Sequence, residues 1–209
     1  MNLKSLIGKL NDSTRGALEA AAGLCLARTH YDIEVEHYLA KLLDSTDNDV
    51  AVIFKHFEID TSKLSAELAR ALDKLKSGNA RTPAISPSMM RMLVEAWTIG
   101  SIDYNAGQVR TGYTILALAT HDELSRLMRD ISREFQKIQP DVFKKDFASI
   151  IEKSGEEVQA AAVAAAASAG TPSAGPKPGG KNSQPRSVHH QSDGEGKNRQ
   201  GRSGAGTRL

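Results

Sequence analysis

Little in this 209-residue sequence can cross-link, stack or cross a membrane. The single cysteine, Cys25, excludes an intrachain disulfide framework and fits a reducing compartment, so a cytoplasmic location is expected. Aromatic residues make up only 5% of the chain, so a core has to be built mostly from Leu, Ile, Val and Ala. The longest apolar run is the alanine tract near 160–167, too short and too weakly hydrophobic to span a bilayer. The apolar stretch after Lys4 is broken by Lys9, which argues against an export signal. Nowhere does the pattern G-x-x-x-x-G-K-[ST] occur, so the chain has no phosphate cradle of that kind, and neither enzyme activity nor a cofactor is expected.

The overall charge of +2 conceals an asymmetry. Seven of the 27 Lys/Arg and two of the 25 Asp/Glu fall in residues 170–209, giving that segment +5. The remaining 20 basic and 23 acidic residues leave 1–169 at −3. The body therefore lacks the basic excess of a nucleic-acid binder, and no nucleic-acid partner is expected.

What the chain does have is helical periodicity, almost without interruption to residue 153. Leu3, Leu6, Ile7 and Leu10 form a one-sided stripe on a short first helix. Asn11, Asp12 and Ser13 offer caps for a second helix near 14–28, with Leu18, Ala21, Ala22 and Cys25 on a small-residue face. The spacing recurs at Val50, Ile53, Phe54 and Phe57, and at Leu64, Leu68, Leu72 and Leu75. Gly78 to Pro87 reads as a loop, with Ser86 as N-cap and Pro87 in the first turn of a helix carrying Met89, Leu93, Ala96, Trp97 and Gly100. Leu124, Leu127, Met128 and Ile131 follow, and then a helix opening at Pro140 with Phe143, Phe147 and Ile150. The expected fold is all-α.

An internal repeat is also visible. A shift of 76 residues brings Arg15 onto Arg91, Glu19 onto Glu95 and Ala20 onto Ala96, and further on Ile33 onto Val109, Leu39 onto Ile115 and Leu42 onto Leu118. Two helical halves, about 12–76 and 86–150, are expected around one core with a pseudo-two-fold axis. The domain is expected to cover 1–153. An Ala/Gly/Pro-rich linker over 154–180 and a disordered tail over 181–209 are expected to follow.

The segment HYDIEVEH (30–37) is the densest cluster of potential chemistry, with two histidines and three carboxylates. As a loop it offers metal ligands, but zinc sites usually space them more closely, as in H-E-x-x-H. Alternatively, Asp32, Glu34 and Glu36 lie at the start of a helix over 35–44, where negative charge favours the helix dipole. Cys25 lies on an apolar face and reads as a buried thiol rather than a nucleophile. No metal ligand or catalytic residue is assigned.

Two copies of a helix pair, the I-x-x-E-H-Y-L-x-x-L-L segment from Ile33 to Leu43 and S-P-x-M from Ser86 to Met89 resemble the Clp N-terminal repeat domain of AAA+ unfoldases over roughly residues 10–150. The extra first helix, Gly23-Leu24-Cys25 and HYDIEVEH are most similar to the ClpV branch, which serves type VI secretion. In the second repeat, QVRTGY (108–113) departs from the motif, with Gly112-Tyr113 in place of Glu36-His37. The resemblance implies a substrate-recognition domain that binds the N-terminal helix of the smaller type VI sheath protein, so that contracted sheaths can be recycled. Leu3, Leu6, Ile7 and Leu10 would form one wall of an apolar groove, with Ile85 and Met89 on the other. The same four N-terminal residues can equally serve only to cover the core. The resemblance further implies a monomeric isolated domain and a hexameric full-length relative. The rival reading is the N domain of a general Clp disaggregase or protease unfoldase that binds adaptors or unfolded protein.

No AAA+ module follows the linker. With suitable codons, Ser183–Asp193 and Ser203–Leu209 read one base on become P-S-L-D-Q-F-T-I-N-L-T and P-V-L-G-R-D, similar to the approach to the first AAA+ module. A frameshift near residue 181 is therefore expected to have truncated a longer ATPase.

Overall fold

A computed structural model describes residues 3–169 of the chain. Residues 170–209, and with them the expectation of an out-of-frame tail, lie outside the described residues. The fold is all-α, in the order α1 (Leu3–Ile7), α2 (Asp12–Ala27), α3 (Val35–Leu42), α4 (Asp49–His56), α5 (Thr61–Asp73), α6 (Pro87–Asp103), α7 (Thr111–Thr120), α8 (Asp122–Ile131), α9 (Pro140–Ile151) and α10 (Gly155–Ala169), with a 3-10 turn at Arg133–Lys137. Side chains cap the start of four helices, α2, α4, α5 and α6. Asn11, Asn48, Asp60 and Ser86 accept from the backbone N–H of Thr14, Ala51, Ser62 with Lys63, and Met89 at 2.8–3.1 Å. Each such cap contributes on the order of 1 kcal/mol.

The helices α2, α3, α4 and α5 recur as α6, α7, α8 and α9, but not at a constant offset. In the first pair of helices the buried residues Thr14, Leu18, Ala21 and Cys25 correspond to Met89, Leu93, Ala96 and Gly100, an offset of 75. α6 is 17 residues long against 16 in α2, and this extra residue moves the offset to 76 at α3 and α7. The pairing of Arg15, Glu19 and Ala20 with Arg91, Glu95 and Ala96 is thus one position out of register.

The halves exchange short extended segments. Asp32–Ile33 pairs in parallel with Ala84–Ile85, and in the related position Leu10 bridges Val109. Both exchanges end on a helix cap, with Ser86 N donating to Ile33 O at 3.2 Å and Asn11 N to Val109 O at 2.9 Å. Two-residue pairings of this kind leave no alternation in the sequence, which is why none was legible. Near the axis the equivalent residues Tyr38 and Thr114 meet, hydroxyl to hydroxyl, at 3.3 Å.

The core runs through both halves. α7 is buried on all sides from Thr111 to Ala119, and it packs closely on α6 at Gly100. A Cβ at Gly100 would lie 2.9 Å from Tyr113 Cδ2, and that ring is itself stacked 5.3 Å from Phe147. Burial continues past the expected domain boundary at 153, because Ser154 and Glu156 are each only 1% exposed. The linker therefore does not begin at 154, since its first residues are hydrogen-bonded into the body.

Gly100→Ala is expected to lower stability by about 1–3 kcal/mol through overpacking. Urea unfolding checks this: a lower midpoint at unchanged m-value is the expected outcome, and an unchanged midpoint contradicts the packing.

Candidate partner-binding site

A five-residue helix has almost no stability of its own, so α1 has to be pinned to the body. Leu6 (2% exposed) and Leu10 (0%) do this by entering the core, and the Leu10 bridge to Val109 closes the segment. Met89, expected on the facing wall, is also fully buried. Leu6, Leu10 and Met89 are therefore core residues and cannot line an open groove. The other three residues of the expected site, Leu3, Ile7 and Ile85, are half-buried.

α1 packs against α6. On α6 the positions flanking the buried stripe are Met90, Val94 and Trp97, spaced i, i+4, i+7, half-buried and packed against the core. Lys9, just after α1, sits over the Trp97 ring with Nζ 5.1 Å from the centroid, so this flank borders the N-terminal segment. Sequence reading assigned Trp97 to the core face and missed Met90 and Val94. Periodicity marks the buried stripe but does not say which flank a neighbouring helix leaves half-open. The N-terminal segment carries Lys4 and Lys9 and no carboxylate through Leu10.

Of the open clefts elsewhere on the described residues, two occupy related positions in the two halves. One, of about 360 Å³, is lined by residues including Leu43, Phe54, Lys55 and Ile59. The other, of about 490 Å³, is lined by Ala119, Met128, Arg129 and Ile138 among others.

The HYDIEVEH cluster is a structural joint. His30 Nδ1 lies 2.8 Å from His37 Nε2, and His37 Nδ1 accepts from Glu34 N at 3.0 Å. Because Nδ1 of His37 accepts, its proton is on Nε2 and is donated to His30. His37 thus has both nitrogens engaged: its Nδ1 closes the capping box of α3 and its Nε2 ties that box to His30. Burial, reinforced by the facing imidazole of His30, pushes His37 down to about 4, and burial lowers His30 as well, with Arg28 acting in the same sense. The Cys25 thiol donates to the Asp32 carbonyl at 3.2 Å, and burial raises its pKa, with Asp32 and Glu34 adding to the effect. A buried thiol whose pKa is raised in this way is inert. Among the described residues no three His, Cys, Asp or Glu side chains are placed to share a metal ion, and no helix is long and apolar enough to cross a membrane.

Comparison with known proteins agrees with this architecture. The profile of the Clp repeat (R) N-terminal domain matches residues 9–131. The chain belongs to this Clp repeat N-terminal domain family. It is 28% identical over 158 residues to the AAA+ ATPase ClpV1 of Pseudomonas aeruginosa, and 30% identical over 158 residues to the chaperone protein ClpB of Yersinia enterocolitica. In both cases the match covers 76% of this chain and 18% of the relative, so the chain spans only a small part of the length of these relatives. A ClpV N-domain solved in complex with a VipB peptide is 31% identical, with a TM-score of 0.64, covering 75% of this chain and 95% of that one. This Clp N-terminal domain therefore resembles ClpV N-domains in fold and sequence, while its sequence identity to a ClpB is of the same order.

The histidine joint of the Clp domain should be acid-sensitive. The folded domain holds His37 neutral, so below the ordinary value of 6.5 the unfolded chain takes up protons that the folded chain refuses. Stability is full above about pH 6.5 and is lost as pH falls toward 4, by about 2 kcal/mol at pH 5 for His37 alone. Glu36 and Glu156, pushed up by burial, act in the opposite sense. The measurement is therefore the difference in urea unfolding between wild type and His37→Gln, a substitution that retains a capping-box side chain. Wild type should lose more stability than the variant between pH 7.5 and 5, and parallel losses would contradict the joint.

Proposed function

We propose that the chain is the recognition domain of a ClpV-type ATPase and that it binds, as a monomer, an amphipathic helix from a type VI sheath subunit. The helix would lay its apolar face against Leu3 and Ile7 of α1 and against Ile85, Met90, Val94 and Trp97 along α6. Binding of this kind needs anchors at i, i+3, i+4 and i+7 on the partner. The cationic N-terminal segment favours a partner helix whose apolar stripe is flanked by acids.

The observation that carries the reading is α1 itself. It is held in place by Leu6 and Leu10 while Leu3 and Ile7 remain half-open beside α6. The similarity to a ClpV N-domain that binds a VipB peptide supports the same reading. In the longer protein, such binding would deliver sheath subunits to an ATP-driven hexamer.

Fluorescence anisotropy with a labelled VipB peptide tests it. Wild type should bind, and Leu3→Asp and Ile7→Asp should each weaken binding about tenfold or more while circular dichroism stays unchanged. Leu6→Asp, by contrast, should unfold the domain, because it buries a charge. Wild type that ignores the peptide but holds unfolded casein would instead favour the general disaggregase reading. Binding indifferent to both surface changes would overturn the placement on α1.

A further inference from the structure

The first turn of α10 is held by a polar cluster that the proposed recognition does not use. Asp49, fully buried at the start of α4, accepts from Arg110 Nη2 at 2.7 Å and Nε at 2.9 Å. Ser154 joins them, accepting from Arg110 at 3.1 Å and donating to Asp49. Glu156 then reaches back into the body. Its Oε1 accepts from Asp49 N at 3.0 Å and from the Thr111 hydroxyl, and its Oε2 accepts from Asn11 Nδ2 at 2.6 Å and Thr111 N at 3.0 Å.

These partners come from three separate places: the cap of α2, the first residue of α4 and the first residue of α7. Each of them donates, so the socket matches an ionised carboxylate lying at two helix N-termini. Beyond it α10 is barely held. Glu157 adds a half-exposed ion pair with Arg110, and pairs of that kind contribute little. Val158 is 69% exposed, and residues 159–162 face solvent. With residues 159–162 exposed, this part of α10 gains little from packing, and an alanine-rich helix on its own is marginal.

We propose that Glu156 is a latch that fixes how the chain leaves the domain. With the carboxylate seated, α10 is docked in one direction. When it is not seated, α10 comes away as a unit while the rest of the domain stays folded, and a fixed exit becomes a hinge. Release lets water reach the N–H groups that Glu156 had satisfied, so the body keeps its hydrogen bonding. Among the described residues no core hydrophobic lies beyond Ile151, so α10 adds no side chain to the hydrophobic core.

Amide hydrogen exchange on the whole chain tests the latch with two variants of different logic. Glu156→Gln keeps the shape but points an N–H2 into a socket of donors. Asn11→Asp retains the α2 cap, which an aspartate also supplies, while setting a second carboxylate against Glu156. Each should speed exchange over residues 155–162 roughly tenfold or more and leave α7 within about twofold of wild type. The double variant should regain part of the protection, because the carboxylate introduced at position 11 can accept from the amide introduced at position 156. Unchanged exchange over 155–162 in Glu156→Gln would overturn the proposal. So would loss of protection in α7 together with α10 in both single variants, since α10 would then be part of one cooperative unit.

Discussion

Asp49 is a carboxylate with no exposure to solvent, and the domain is organised around satisfying it. Two parallel bonds from Arg110 neutralise it, and the backbone N–H of Gly112 adds a third contact at 3.3 Å. Arg110 belongs to the second half of the repeat and Asp49 to the first, so the pair ties the halves together at the end of α7. Taking both charges out of water costs several kcal/mol, recovered only when geometry and remaining hydrogen bonds are good. Here they are, because the Ser154 hydroxyl, which precedes α10, bonds both members of the pair and Gly112 N completes Asp49. Removing one partner would leave the other buried and unpaired, at a cost of about 3–5 kcal/mol.

The same constraint explains the place where the second repeat departs from the first. Glu36-His37 become Gly112-Tyr113. A Cβ at position 112 would lie 2.8 Å from Asp49 Oδ2 and 3.0 Å from the Phe147 ring. Glycine is what lets the buried carboxylate approach α7. Tyr113 fills the space left by Gly100 and packs against Phe147 and Tyr104. The degenerate half of the motif is therefore the half that carries the tie, while the intact half carries the histidine joint that caps α3.

Much of this was legible in the sequence. The helices, the Ser86-Pro87 start, the repeat and the family all follow from local patterns, because capping chemistry and 3.6-residue spacing are written within a few residues. What was not legible depends on partners distant in sequence. Glu156 is 145 residues from Asn11 and 107 from Asp49, and an alanine-rich stretch beginning GEEV gives no sign that its first glutamate is buried. The same limit divided the expected groove. Leu3, Leu6, Ile7 and Leu10 share one spacing, yet Leu6 and Leu10 anchor the helix and the other two stay half-open. Spacing says that residues share a face but not how deeply the face is set, and that depth decides which side chains a partner can reach.

The most direct test of recognition at the N-terminal helix is a chemical-shift titration of the 15N-labelled domain with a VipB peptide. The account predicts that the largest changes fall within residues 3–10 and 85–97, where α1 meets α6. Changes centred on the clefts beside Phe54 or Met128, or no changes at all, would contradict it.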